Sequence, residues 1–262
     1  METDIVQLEK ISITYGTELV LDNISMSFPT GKLIAITGPA GCGKSTLLKI
    51  AAGLVYPDSG KVYVDGKDIF SLSRNELFQM RRNSAFVFQD AALLSNLTVY
   101  DNIALPLRYH FKPPQQELDK KVHEMIMMFD LRNEQNLRPA QLSMGQRKLV
   151  SFARGLVMEP KLLFFDEPVA GIDAIAREKM VKKILPLRDD PEVTAIMVSH
   201  NLDFIKSSAD YIALIYNHRL FTYGTRDEIL KSRDPILQSI LSIITDEEAA
   251  VAEEVLGILT GH

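Results

Sequence analysis

The 262-residue sequence has a single cysteine, Cys42, so no disulfide can form within the chain and a reducing compartment is expected. No apolar run approaches the roughly 18 residues that a membrane-spanning helix requires, so any membrane role must pass through a partner. Positive charge is not in excess either. With 29 Lys and Arg against 34 Asp and Glu, the net charge is −5, which gives no basis for sequence-independent binding to nucleic acid. The first ten residues, METDIVQLEK, are acidic and lack the basic-then-apolar order of a secretion signal. Internal repeats and low-complexity segments are absent. What remains is 46% hydrophobic and 24% charged, the composition of an ordinary globular protein of one or two domains with a large buried core.

Short β-rich segments come first, "IVQLEKISITY" and "TELVLDNISMSF", bounded by Gly16 and by Pro29-Thr30-Gly31. "KLIAIT" is a continuous apolar run of the kind buried on both faces of a parallel sheet. The helix "KSTLLKIAAGL" is expected to end near Gly53, and "DSGKVYVDGKDI" reads as a hairpin turning at Asp65-Gly66. From about residue 72 to 158 the patterning is mostly helical, with Leu118, Val122, Met125, Ile126 and Phe129 forming one stripe. Strand patterns return in "KLLFF", "VTAIMVS" and "YIALIY", separated by helical stretches such as "AIAREKMVKKILPL". This alternation predicts an α/β fold: a mostly parallel core sheet, an N-terminal antiparallel β subdomain and a helical insertion. A tail, "DEEAAVAEEVLGILTGH", is expected to form a short amphipathic helix with Val251, Val255, Ile258 and Leu259 in its stripe.

Directly behind the apolar strand stands "GPAGCGKST", comprising Gly38, Pro39, Ala40, Gly41, Cys42, Gly43, Lys44, Ser45 and Thr46. The spacing is G-x-x-x-x-G-K-[ST], the phosphate loop. Glycines let the backbone turn so that successive N–H groups point inward as an anion nest. Lys44 is expected to reach the β- and γ-phosphates, and Ser45 to offer its hydroxyl to Mg²⁺. The helix that follows adds the positive end of its dipole. Cys42 lies in the same loop near that helix start, a setting that favours thiolate formation. Modification by a maleimide, blocked by MgATP, is the expectation.

"LLFFDE" delivers Asp166 and Glu167 at the C-terminal end of a strand, where ligands of open α/β sheets bind. Asp166 there can hold the Mg²⁺ of a nucleotide, and Glu167 can polarise an attacking water as general base. In "LSMGQ", residues 142–146, Ser143 and Gln146 have capping-box spacing, which predicts a helix starting at Ser143.

At this stretch the sequence resembles the ATP-binding cassette (ABC) family, whose signature is LSGGQ; Met144 replaces the first glycine of the pair. The resemblance covers residue 4 to about 232 and implies that the fold is the phosphate-loop NTPase of ABC type. Residues 1–245 are then the ATPase domain, its helical insertion spans about 90–158, and 246–262 form an appended tail. It also implies that Ser143, Gly145 and Gln146 of one subunit close on ATP held by a second copy. Tyr15 falls where an aromatic stacks on adenine. "FVFQD" supplies Gln89, which in the family touches Mg²⁺ and the attacking water and links to the membrane partner. "AGID" supplies Asp173 of the D-loop, and "VSH" supplies His200, the switch histidine that contacts the γ-phosphate.

Residues 101–131 further resemble the helical insertion of cassettes that serve Mce/Mla-type phospholipid transporters, in a "DN-x-A-x-PLR-x-H" segment; "DPILQSIL" (234–241) resembles the segment near their C-terminus. The resemblance implies a homodimeric ATPase using ATP and Mg²⁺, cytoplasmic and held peripherally on the inner face of the membrane by an integral-membrane permease. Cassettes of solute importers, of lipoprotein-release or cell-division systems, and soluble iron–sulfur assembly ATPases share most of these motifs.

Overall fold

The computed structural model describes residues 4–245, so the tail expected over 246–262 lies outside the described residues. The chain divides into two compact units: Met1–Ser71 together with Ile196–His262, and Leu72–Ala195.

In the first unit, β1 (Asp4–Tyr15) and β2 (Glu18–Pro29) form a long antiparallel pair. β4 (Ser59–Val64) pairs with β1, and the short β5 (Lys67–Asp68) completes a sheet of order β2-β1-β4-β5. Asp65 and Gly66, both at positive φ, make the hairpin turn between β4 and β5. Inward residues of β1 and β2 such as Val6, Ile11, Leu21, Ile24 and Phe28 have no exposed surface, as their alternation requires.

The wholly buried β3 (Leu33–Thr37) pairs in parallel with β9 (Tyr211–Tyr216), and β10 (Arg219–Thr225) runs antiparallel on the far side of β9. β8 (Thr194–Val198) lies beside β3, with its residues from Ile196 onward belonging to this unit. α1 (Lys44–Ala51) ends as the sequence predicts. Gly53 takes a positive φ, its N–H bonds to the Ile50 carbonyl, and the Leu54 N–H bonds to Lys49, which closes the helix end. α7 (Leu202–Ser208) and α8 (Arg226–Lys231) follow, then a helical stretch over 235–245 that buries Leu237, Ile240, Leu241 and Ile244.

In the second unit, α2 (Arg74–Arg82) leads into β6 (Ser84–Val87), which pairs in parallel with the buried β7 (Leu162–Asp166). β6 interrupts the region expected to be mostly helical; four residues without alternation give no periodic signal. α3 (Val99–His110), α4 (Gln115–Met128) and α5 (Met144–Leu156) make up the helical part, and α6 (Ala174–Arg188) follows β7. On α4, Leu118, Val122, Ile126 and the capping Phe129 are buried and His123 is exposed, as the stripe demands, while Met125 at its edge is half-buried. The "DN…PLR" segment is self-bracing. Asp101 accepts from Arg108 at 2.8 Å and from Thr98 Oγ1 at 2.8 Å. Buried Asn102 exchanges hydrogen bonds with the backbone of Leu94, Leu97 and Thr98, so it fixes the loop ahead of α3.

Candidate active site

The first unit holds the phosphate loop, between β3 and α1. A Cβ on Gly38 (φ 152°) would stand 2.1 Å from the Ile215 carbonyl oxygen and 2.9 Å from Cys42 Sγ. A Cβ on Gly43 (φ 95°) would stand 2.6 Å from both Leu21 Cδ2 and the Val20 carbonyl oxygen. Strands β9 and β2 thus press the loop so closely that only glycine fits, and both positions also need a conformation that other residues resist. Lys44 is buried, and its Nζ donates to the carbonyls of Gly38 and Pro39, each at 2.7 Å. The ammonium is therefore folded into the loop instead of projecting into solvent.

Ser73, Thr98, Ser143, Asp173, Asn201 and Thr225 cap α2, α3, α5, α6, α7 and α8 with their side chains, whereas α1 and α4 have no side-chain cap, and of these two α1 starts beside the Lys44 ammonium. An uncapped helix start beside a buried ammonium is suited to an anion that binds both. Ser45 and Thr46 stand half-buried in the first turn, Pro39 is half-buried, and Ala40 and Gly41 are exposed at the loop tip.

The Ser199 N–H donates to the Ile36 carbonyl at 3.1 Å, so the ends of β8 and β3 lie side by side and deliver His200 and the loop to one edge of the sheet. Asn201 then caps α7 through the Phe204 N–H at 2.6 Å, which holds His200 between a strand end and a helix cap. Tyr15 is exposed at the end of β1.

The expectation of a thiolate at Cys42 is corrected by the packing. The thiol is only 6% exposed, and burial pushes it up from the usual thiol range, more than the Lys44 charge lowers it. Loss of water outweighs the Lys44 charge and the backbone N–H groups that favour the thiolate. Maleimide labelling of the folded chain is therefore expected to run at least ~10-fold slower than labelling in urea, followed by mass spectrometry. Equal rates would show that the thiol is open.

The second unit holds the other candidates. Gln89 is exposed just after β6, in a loop that Arg154 steadies through the Ala91 and Ala92 carbonyls, both at 2.9 Å. Asp166, the last residue of β7, is buried, as is Glu167, which has the left-handed φ of 49°. The predicted capping box is formed: Ser143 Oγ accepts from the Gln146 N–H at 3.2 Å, and Gln146 Oε1 accepts from the Ser143 N–H at 2.9 Å. Ser143 is exposed at the very start of α5. Gly145 is buried, and a Cβ there would lie 2.7 Å from the Ala176 Cβ, so it sets the close approach of α5 to α6. Asp173 caps α6 by accepting from the Ala176 N–H at 2.8 Å.

One residue escaped the sequence reading. Lys148 on α5 is 3% exposed and donates to the carbonyls of Glu167 at 2.8 Å and Ala170 at 2.6 Å. Burial lowers its ammonium to about 8, with the Glu167 and Asp166 charges pulling the other way. Its position three residues after Gly145, on the buried face of an amphipathic helix, was the available signal.

The family described as ABC transporter matches residues 21–170, a span that includes the loop, Gln89, the signature and the strand-end carboxylates. The chain belongs to the ABC transporter family. The ABC subunit is 35% identical over 243 residues to the intermembrane phospholipid transport system ATP-binding protein MlaF of Escherichia coli (strain K12), covering 93% of this chain and 90% of that protein. It is 29% identical over 266 residues to the probable ribonucleotide transport ATP-binding protein mkl of Mycobacterium tuberculosis (strain ATCC 25618 / H37Rv), covering 98% and 74%. A solved dimer of the ATP-binding cassette MJ0796, in a post-hydrolysis state with ADP and Pi, superposes with a TM-score of 0.78 at 30% identity, covering 84% of this chain and 98% of that one. The ABC subunit is thus an ATPase that powers a transporter.

Proposed function

We propose that this ATPase, with residues 1–245 as its domain, drives phospholipid transport across the cell envelope through an integral-membrane permease. The 35% identity to the phospholipid-transport protein across 93% of the chain carries this reading. Two copies close on two ATP molecules and reopen after hydrolysis, which moves the permease. In each site Tyr15 stacks on adenine, and residues 38–46 cradle the phosphates with Lys44 turned from its loop carbonyls to the β- and γ-phosphates. Ser143, Gly145 and Gln146 of the second copy complete the site. Glu167 takes the proton of the attacking water, Gln89 orients that water, and His200 steadies the γ-phosphate.

Ser45, Gln89 and Asp166 would hold Mg²⁺. Their donor atoms, a hydroxyl, an amide carbonyl and a carboxylate, are hard oxygens. That set fits a cation that takes its other ligands from phosphate and water. Bound there, Mg²⁺ would neutralise charge developing on the transferred phosphoryl group.

The likeness to an ATP-binding protein of a phospholipid transport system leads us to assign the subunit a peripheral place on the inner face, through the permease; none of the described helices is long and apolar enough to cross a membrane. A groove of about 340 Å³ in the second unit suits that contact, lined by Arg81, Phe86, Leu105, Tyr109, His110 and Arg154. Burial, then the Arg82 and Arg81 charges, hold His110 below the usual histidine range, and its Nδ1 has no hydrogen-bond partner among the described residues. The exposed ring of Tyr109 and the guanidinium of Arg81 present aromatic and cationic surface to a partner there. Affinity purification from solubilised membranes is expected to recover a permease, and the purified complex to move labelled phospholipid between vesicles in an ATP-dependent way. Tyr109→Glu should lower permease recovery at least ~10-fold, the scale of losing one interface anchor. Recovery of a soluble scaffold, or transport of a small polar solute instead of lipid, would replace this reading.

A further inference from the structure

We propose that Lys148 is a positioning residue for hydrolysis: by binding the main-chain carbonyls at both ends of the turn Glu167–Ala170, it holds the Glu167 carboxylate where the attacking water must stand. The inference rests on the reading of Glu167 as the base.

Glu167 leaves β7 with φ 49° and is followed by Pro168, two features that oppose each other. A left-handed conformation is costly for a non-glycine residue and persists only where its surroundings over-determine it. Proline at the next position further narrows the backbone choices of the residue before it. Relaxation of this strain would rotate the Glu167 backbone, swinging its carbonyl and its side chain together. The turn's own closure is weak: the Ala170 N–H reaches the Glu167 carbonyl at 3.3 Å. The firm restraint comes from Lys148, whose Nζ meets the first carbonyl of the turn at 2.8 Å and the last at 2.6 Å.

A lysine this buried is desolvated at considerable cost, and two carbonyls on one turn are what offset it. The same side chain makes no contact that the phosphate loop or the capping box of α5 requires. Its effect is therefore expected in the chemical step, not in nucleotide affinity.

Lys148→Met keeps the length and apolar bulk of the stem and removes every donor. Its kcat is expected to fall about 10- to 100-fold, the scale on which a misplacement of about 1 Å acts, with the KM for ATP within about twofold. Lys148→Gln, which keeps an amide donor, should fall between, and serves as the test variant if the methionine protein does not fold. The discriminating measurement is the double variant. In a Glu167→Gln background, Lys148→Met should lower the residual rate less than about twofold, because the group it positions no longer acts as a base. Losses that multiply, or a KM that rises as far as kcat falls, would overturn the proposal and leave Lys148 as a tie between α5 and β7. Wild-type kcat in Lys148→Met beside an inactive Glu167→Gln would overturn this inference alone. Normal turnover in Glu167→Gln would instead remove the base assignment on which it stands.

Discussion

Glu167→Gln is expected to lower ATP hydrolysis at least ~10²-fold, the usual scale of general-base catalysis, while ATP binding survives. The substitution replaces one carboxylate oxygen by an amide nitrogen and preserves shape. Lys148 holds the residue by its main-chain carbonyl, a contact that the change does not touch. The left-handed backbone at φ 49° is retained for the same reason. The phosphate loop lies in the other compact unit and keeps its glycines and Lys44. Single-turnover hydrolysis with labelled ATP, alongside equilibrium nucleotide binding, separates the two effects. Sedimentation should show the closed dimer accumulating with ATP, because reopening needs hydrolysis. Turnover within a few-fold of wild type would remove Glu167 from the mechanism.

Ser143→Arg should abolish hydrolysis through the neighbouring copy. Ser143 is exposed just ahead of α5 and caps that helix through the Gln146 N–H. Loss of the cap costs the fold only about 1 kcal/mol, so the variant should remain folded. The arginine places bulk and a cation where the partner's γ-phosphate is proposed to meet the helix start. Each monomer should still bind ATP through its own Lys44.

A complementation experiment decides the arrangement. Lys44→Ala protein is expected to be inactive alone, because it lacks the ammonium proposed to bind phosphate, yet its signature is intact. Mixed with Ser143→Arg, each hybrid dimer contains one site built from the intact loop of one chain and the intact signature of the other. Random mixing makes about half of the dimers hybrid, so recovery of up to about a quarter of wild-type turnover is expected if sites act independently. Full activity of Ser143→Arg alone, or no recovery on mixing with confirmed hybrid formation, would refute the two-chain site.

The motifs that were legible in the sequence are those whose chemistry is contiguous. Gly38, Gly43 and Lys44 announce an anion loop because a tight turn needs glycine at fixed spacing, and the apolar run ahead of them announces the strand that presents it. Ser143 and Gln146 announce a helix start because capping acts across three residues. Asp166 and Glu167 stand out because charge ends an apolar strand. β6 was not legible, since four residues cannot display a period and only pairing with β7 makes them a strand.

Sequence alone determined that this chain has a phosphate loop, a capped signature helix and strand-end carboxylates in the order of an ABC ATPase, since each depends on local spacing. Tertiary structure decided what burial does to individual groups. It buried Cys42 within the loop, where lost hydration outweighs the Lys44 charge and the hydrogen bonds that favour the thiolate. It turned Lys148 inward, where a lysine on an amphipathic helix would ordinarily be solvated, because the Glu167 and Ala170 carbonyls come within reach only once α5 packs beside the end of β7. Protonation and hydrogen bonding answer to neighbours distant in the chain, and spacing along a sequence carries no measure of them.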